Sequence, residues 1–138
     1  MDLKLHTCFI AVDDHDKAVT FYCDVLGLEI RNDVKYEGMR WVTVGSPLQP
    51  DVSIVLEPPA ANPDLSPADR EAMEQLLAKG VLRGVNFTTE DCDALFARVR
   101  ESGAEVIQEP MDMPYGVRDC AFRDPAGNML RFMESKAR

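Results

Sequence analysis

Few side chains in this sequence have the types and spacing to do chemistry. There are two histidines, His6 and His15, and four cysteines, at 8, 23, 92 and 120, with no Cys-x-x-Cys pair. A Ser-His-Asp or Cys-His triad needs a histidine placed beside a nucleophile, and neither histidine is so placed. No glycine-rich phosphate loop is present. His15 lies among acids at a helix start and reads as an exposed surface histidine. Cys92 occupies a helix N-terminus, where a thiol can acidify. Single cysteines spread through apolar segments read as free, reduced thiols. Glu57 and Arg131, charged residues on strand-like segments, are further candidates. Glu57 is the candidate catalytic group, as a carboxylate able to take a proton. Arg131 can hold an anionic or carbonyl-bearing ligand through its fork of donors. Alternatively, each neutralises the other as a structural ion pair.

The elements that position these residues come as a repeat. Val12-Asp13-Asp14-His15-Asp16-Lys17-Ala18-Val19 follows an apolar run and opens a helical pattern, and Thr89-Glu90-Asp91-Cys92-Asp93-Ala94-Leu95-Phe96 does the same further on. In both copies acids cluster where a helix N-terminus needs caps and favours negative charge. Ala18, Phe21, Tyr22 and Val25, then Leu95, Phe96 and Val99, recur at helical spacing. Gly27 and Gly103 stand where a left-handed C-terminal cap is required. Strand-like segments precede the helices at 8–12 and 85–89. Three more follow each helix, at about 28–34, 39–45 and 52–57, then 104–109, 117–123 and 128–134. Between the copies, Pro58-Pro59-Ala60-Ala61-Asn62-Pro63 is a connector, and Ser66-Pro67 starts a short helix running to Lys79. That helix reads as plain connector or as a flap.

The chain has 138 residues, 46% of them apolar, and a formal charge of −9. That length suits one domain with a sizeable core. The acidic balance argues against nucleic acid and anionic membrane surfaces as partners. No apolar run reaches the ~20 residues of a membrane span, and the opening Met-Asp-Leu-Lys-Leu-His does not read as a signal peptide. The expected location is cytoplasmic.

Val12-Asp13-Asp14…Ala18…Phe21-Tyr22…Leu26-Gly27-Leu28 resembles the first unit of the vicinal oxygen chelate superfamily. That superfamily includes glyoxalase I, bleomycin-resistance proteins, fosfomycin-resistance enzymes and extradiol dioxygenases. Phe122-Arg123-Asp124-Pro125-Ala126-Gly127-Asn128…Phe132 resembles its Asp-Pro-x-Gly-Asn turn and last strand. The resemblance implies an α+β fold in which two βαβββ modules form a cupped mixed β-sheet. The modules are expected at 1–58 and 81–138, with the connector at 59–80, together making one domain. It also implies a homodimer with a small-molecule cavity, within one chain or between chains.

Metal-dependent members place ligands on the first and last strands of each module. Side chains alternate across a strand, so parity assigns faces. Here the expected ligand positions read Thr7, Glu57, Gly84 and Arg131. One carboxylate does not hold a divalent ion, and a guanidinium repels it. No cofactor is expected. A bulge in the first strand restoring His6 would give His6 plus Glu57, half a site, and a divalent metal stays the alternative. The predicted lining is Thr7, Phe9, Trp41, Thr43, Ser53, Val55, Glu57, Asn86, Met129, Arg131 and Met133, with Tyr115 and Arg118 at the mouth. An apolar wall with a few polar anchors suits a small organic ligand. Three readings follow: a metal-free binder akin to the bleomycin-resistance branch; a metal-dependent lyase or dioxygenase of the glyoxalase type, or a metal-free enzyme using Glu57 as base; and a structural or regulatory dimer with a vestigial cavity.

Overall fold

The computed structural model describes residues 1–135, Ser135 by its backbone only. The last three positions of the expected second module lie outside the described residues. Strand β1 (Thr7–Ala11) leads to helix α1 (His15–Val19), which continues as a π-helical turn (Thr20–Val25). Strands β2 (Glu29–Tyr36), β3 (Met39–Gly45) and β4 (Ser53–Glu57) complete the first module. Helix α2 (Pro67–Ala78) bridges to the second: β5 (Arg83–Thr88), α3 (Cys92–Glu101), β6 (Val106–Asp112), β7 (Val117–Arg123) and β8 (Met129–Ser135). Sheet 1 runs β1-β4-β3-β2 and sheet 2 runs β5-β8-β7-β6. In each, the first and last strands of the module pair in parallel and the rest are antiparallel.

Local chemistry sets the helix ends. The side chains of Asp14 and Asp91 accept from the backbone N–H of Lys17 and Ala94, and Ser66 does the same for Asp69, each satisfying an otherwise orphaned donor. Gly27, Gly80 and Gly103 follow their helices at φ of 81°, 73° and 89°, a left-handed conformation that glycine adopts without a steric cost. One feature departs from the helical spacing. Leu26 N–H donates to the carbonyl of Phe21, five residues back. The wider turn lets the consecutive Phe21 and Tyr22 both point into the core, at 5% and 0% exposure.

Both sheets turn their helix-covered faces toward one shared core. It joins Ile10, Tyr22, Val42 and Leu56 of the first module to Phe96, Val99, Phe122 and Leu130 of the second. The Asp-Pro-x-Gly-Asn turn locks the two halves together. Asp124 Oδ1 accepts from the backbone N–H groups of Ala126, Gly127 and Asn128. Its Oδ2 accepts from the Tyr22 hydroxyl at 2.7 Å and from Asn128 Nδ2, which also donates to the Ala11 carbonyl. Burial and the Asp124 carboxylate hold the Tyr22 phenol well above its ordinary pKa. Gly127 sits at φ 110°, and a Cβ there would lie 2.9 Å from the Leu77 carbonyl, so this position needs glycine twice over. No helix among the described residues is long and apolar enough to cross a membrane.

Candidate functional site: two outward sheet faces

The faces of the sheets opposite the helices carry the predicted lining residues. On sheet 1, Phe9, Val55, Thr43 and Asn32 stand abreast in one row. In the next row Ala11 pairs with Glu57 and Trp41 with Val34; Trp41 falls beside Glu57, one rung beyond the Val42–Leu56 pair. Sheet 2 repeats the plan with Asn86, Arg131, Ala121 and Gln108, then Thr88, Met133, Asp119 and Met111. Val12 N–H donates to the Glu57 carbonyl and Thr89 N–H to that of Met133, so the parallel pairs close at the same step.

That register corrects two readings of the sequence. Glu57 is the counterpart of Met133, and Arg131 is the counterpart of Val55. Glu57 and Arg131 are not equivalent positions, because alternation assigns a face but not a row. Nor do they form an ion pair. Arg131 Nε donates to Asp119 Oδ2 at 2.8 Å and its Nη2 to Asp119 Oδ1 at 2.9 Å, a two-pronged grip. Nη2 also donates to Gln108 Oε1, and Gln108 Nε2 donates back to Asp119 Oδ1. The Asp119 side chain is wholly buried beneath this ring. The Arg131 guanidinium, with help from Gln108, holds its carboxyl below the usual carboxylate range.

Sheet 1 has its own arginine, also engaged. Arg31 sits at a bulge in β2, where Nη1 donates to the Val52 carbonyl and Ser53 Oγ, and Nη2 to the carbonyls of Ser46 and Gln49. Its guanidinium lies across Gly45, where a Cβ would meet it at 2.3 Å. Glu57 differs from both. Its carboxylate has no hydrogen-bond or ion-pair partner among the described residues, and burial pushes its carboxyl up.

Thr7, Phe9, Trp41, Thr43 and Ser53 thus gather on sheet 1, and Asn86, Met129 and Arg131 on sheet 2. The chain does not bring the two sets together. Phe9 is 64% exposed, and Asn86 and Thr88 are exposed, so both faces open outward. Tyr115, on the β6–β7 loop, is 66% exposed but near enough to act on Arg131 electrostatically. Arg118 turns the other way, binding Asp93 and Asp112 on the helix side. His15 is not simply exposed: its Nε2 lies 3.1 Å from the Leu56 carbonyl and ties the helix start to β4. Cys92 and Cys120 are buried, and burial raises both thiols, opposite to what a helix N-terminus alone would do. Asp119 and Gln108 were not legible as site residues; the antiparallel register and the β6 bulges that place them have no signature in spacing.

The positions where the resemblance puts metal ligands do not fit a divalent ion. With Val55 as the true counterpart of Arg131, they read Thr7, Val55, Gly84 and Arg131, without a carboxylate or imidazole. The β1–β4 register runs unbroken from Thr7 to Ala11, so no bulge restores His6. His6 lies five residues from the row of Glu57, about 16 Å along the strand, too far to share an ion. Among the described residues no three His, Cys, Asp or Glu side chains group as a metal site.

Doubled βαβββ modules, a buried Asp-Pro-x-Gly-Asn lock and two open sheet faces define the α+β fold of the glyoxalase and bleomycin-resistance type. The chain belongs to the glyoxalase/bleomycin resistance protein/dioxygenase superfamily, whose family model matches residues 4–132. Its structure is similar to that of UcmS2, with 33% identity and a TM-score of 0.86 over 98% of this chain and 100% of that one. It is also similar to TnmS3, an antibiotic binding protein from Streptomyces sp. CB03234, with 28% identity, a TM-score of 0.74 and 97% of each chain covered. The uncharacterized protein YurT of Bacillus subtilis (strain 168) is 29% identical over 133 residues, 96% of this chain and 99% of that protein.

Proposed function

We propose that this protein binds a flat organic molecule, of the kind that antibiotics present, without a catalytic metal. The pocket forms where the sheet 1 face of one copy meets the sheet 2 face of a second, so the working unit is a homodimer with two sites. The observation that carries this reading is the outward face of sheet 1. There Val34 (43% exposed) and Tyr36 (64%) on β2 flank Trp41 on β3, and Val55 on β4 stands between them and Phe9 (64%) on β1, an apolar surface that no element among the described residues covers. Such a continuous apolar surface marks a place where another surface or a ligand docks. Sheet 2 supplies a complementary wall, in which the Arg131–Asp119–Gln108 ring keeps polar atoms satisfied beside Met129 and Met133. The likeness to an antibiotic binding protein across nearly the whole chain supports the same reading. Glu57 is the carboxylate in the central rows free to take a hydrogen bond or a proton from the bound molecule. Free cysteines suit a reducing cytoplasm as the place of action.

The chain has a single tryptophan, which makes the pocket report on itself. Titration with a panel of polycyclic antibiotics is expected to quench Trp41 with two ligands per dimer, and Phe9→Ala to weaken binding about tenfold. Sedimentation equilibrium is expected to give a dimer at micromolar concentration. Absence of quenching by every compound, a monomer at all concentrations, or stoichiometric zinc, nickel, manganese or iron in protein purified without chelator would overturn the reading.

A further inference from the structure

We infer that Glu57 selects the charge of the ligand: the pocket takes a flat aromatic molecule bearing a protonated amine, which the lone carboxylate receives beside Trp41. This rests on the binding function proposed above and names the class of molecule bound.

The charges on the two faces differ in what already holds them. Arg131 donates Nε and Nη2 to Asp119 and Gln108, and among the described residues its Nη1 reaches only Met129 Sδ, at 3.9 Å. Arg31 spends its guanidinium on three backbone carbonyls and Ser53 Oγ, with Glu29 at 3.4 Å. Asp119 neutralises Arg131, and four oxygens surround Arg31 with Glu29 beside it, so neither guanidinium is left uncompensated in the central rows; Arg83, exposed opposite Met129, lies at the start of β5 away from them. Glu57 has the reverse situation. The place from which an arginine could reach it, the Val55 position one row back, holds an apolar side chain, and its own row carries Ala11 and Trp41. Burial raises its carboxyl, and no cation among the described residues offsets that.

Closing the pocket over this carboxylate strips more water from it. A ligand without a donor would leave it buried and unpaired, which is costly; an ammonium removes that cost and gains a charge-assisted hydrogen bond. The indole beside it adds an attractive face for the same cation, and the aromatic body of the ligand has Trp41 and Phe9 to lie against. The formal charge of −9 draws cations toward the molecule before contact.

Three probes test this, differing in one substituent: aminomethylanthracene, its N-acetyl derivative and anthracenecarboxylate, each titrated against the whole dimer by Trp41 quenching. The amine is expected to bind about tenfold tighter than the acetamide, and the carboxylate more weakly than both. In Glu57→Gln the amine and acetamide are expected to bind within about twofold of each other. An unchanged mass of Glu57→Gln by sedimentation equilibrium shows that fold and assembly are intact. Equal binding of amine and acetamide by the parent overturns the charge selection and leaves the binding function standing. A preference that survives in Glu57→Gln overturns the role of Glu57. Failure of all three probes to bind overturns the aromatic-ligand reading and this inference with it.

Discussion

At one place in the repeat sheet 1 carries Val55 and sheet 2 carries Arg131; one row along, sheet 1 has Glu57 beside Trp41 and sheet 2 has Met133 beside Asp119. Each face thus holds one carboxylate in its second row, but only sheet 2 has a guanidinium in the first. Asp119 is therefore paired, wholly buried and acidified, whereas Glu57 is unpaired among the described residues and made less acidic by burial. The difference teaches that the chemistry open to a carboxylate in this fold is set by its neighbour in the next row. Backbone position is shared; availability is not. Sheet 2 engages its carboxylate in holding itself together, and sheet 1 leaves its own without a partner among the described residues.

The largest effect is expected where that arrangement is broken in sheet 2. Arg131→Val gives the second module the first module's residue and strands Asp119 under a face with Gln108 as its one remaining side-chain partner. Chemical denaturation is expected to show a loss of about 3 kcal/mol, since removing one partner leaves a buried charge uncompensated. Adding Asp119→Leu to that variant is expected to recover most of the loss, because an apolar pair of similar volume carries no stranded charge.

The reverse exchange, Val55→Arg, supplies sheet 1 with the missing cation. Binding of aminomethylanthracene is expected to weaken to within about twofold of its acetamide, as the new guanidinium occupies Glu57. Retention of the full amine preference in Val55→Arg would show that the first row does not govern the second.

A smaller effect, of opposite sign on the two sheets, is expected in stability against pH. The folded pKa of Asp119 lies below its ordinary value of 3.8, so its contribution is complete above that value and lost as pH falls through the folded pKa. Arg131→Val therefore flattens the acid limb below about pH 4. The folded pKa of Glu57 lies above its ordinary value of 4.5, so the folded state binds the proton more tightly and stability declines as pH rises through the window just above 4.5. Glu57→Gln removes that decline and leaves the protein slightly more stable at neutral pH. Thermal melts from pH 3 to 7 read both limbs in one series.

Much of the fold is written locally. Asp14, Asp91 and Ser66 cap their helices through hydrogen bonds to the third residue on, and glycines close them, all within a few positions of sequence. Alternation along β1, β4 and β8 likewise assigned Phe9, Val55 and Arg131 to the outward faces. What stayed hidden depends on pairs distant in the chain or on a shift of register. The Tyr22–Asp124 lock spans 102 residues. The π-helical turn and the bulges in β2 and β6 change which side chains share a face without a distinctive residue to announce them. The misplaced equivalence of Glu57 and Arg131 came from the same source: a strand read alone gives inside and outside, and the row is fixed only when its neighbour is in place.

That Glu57 is uncompensated while its counterpart face is neutralised is tested most directly by carboxyl-carbon NMR across a pH titration of the unliganded protein. The expected result is two carboxyls displaced in opposite directions, Glu57 titrating above the ordinary glutamate range and Asp119 below the ordinary aspartate range. A Glu57 resonance that titrates at or below the ordinary range would mean that a cation already holds it, and the account would be wrong.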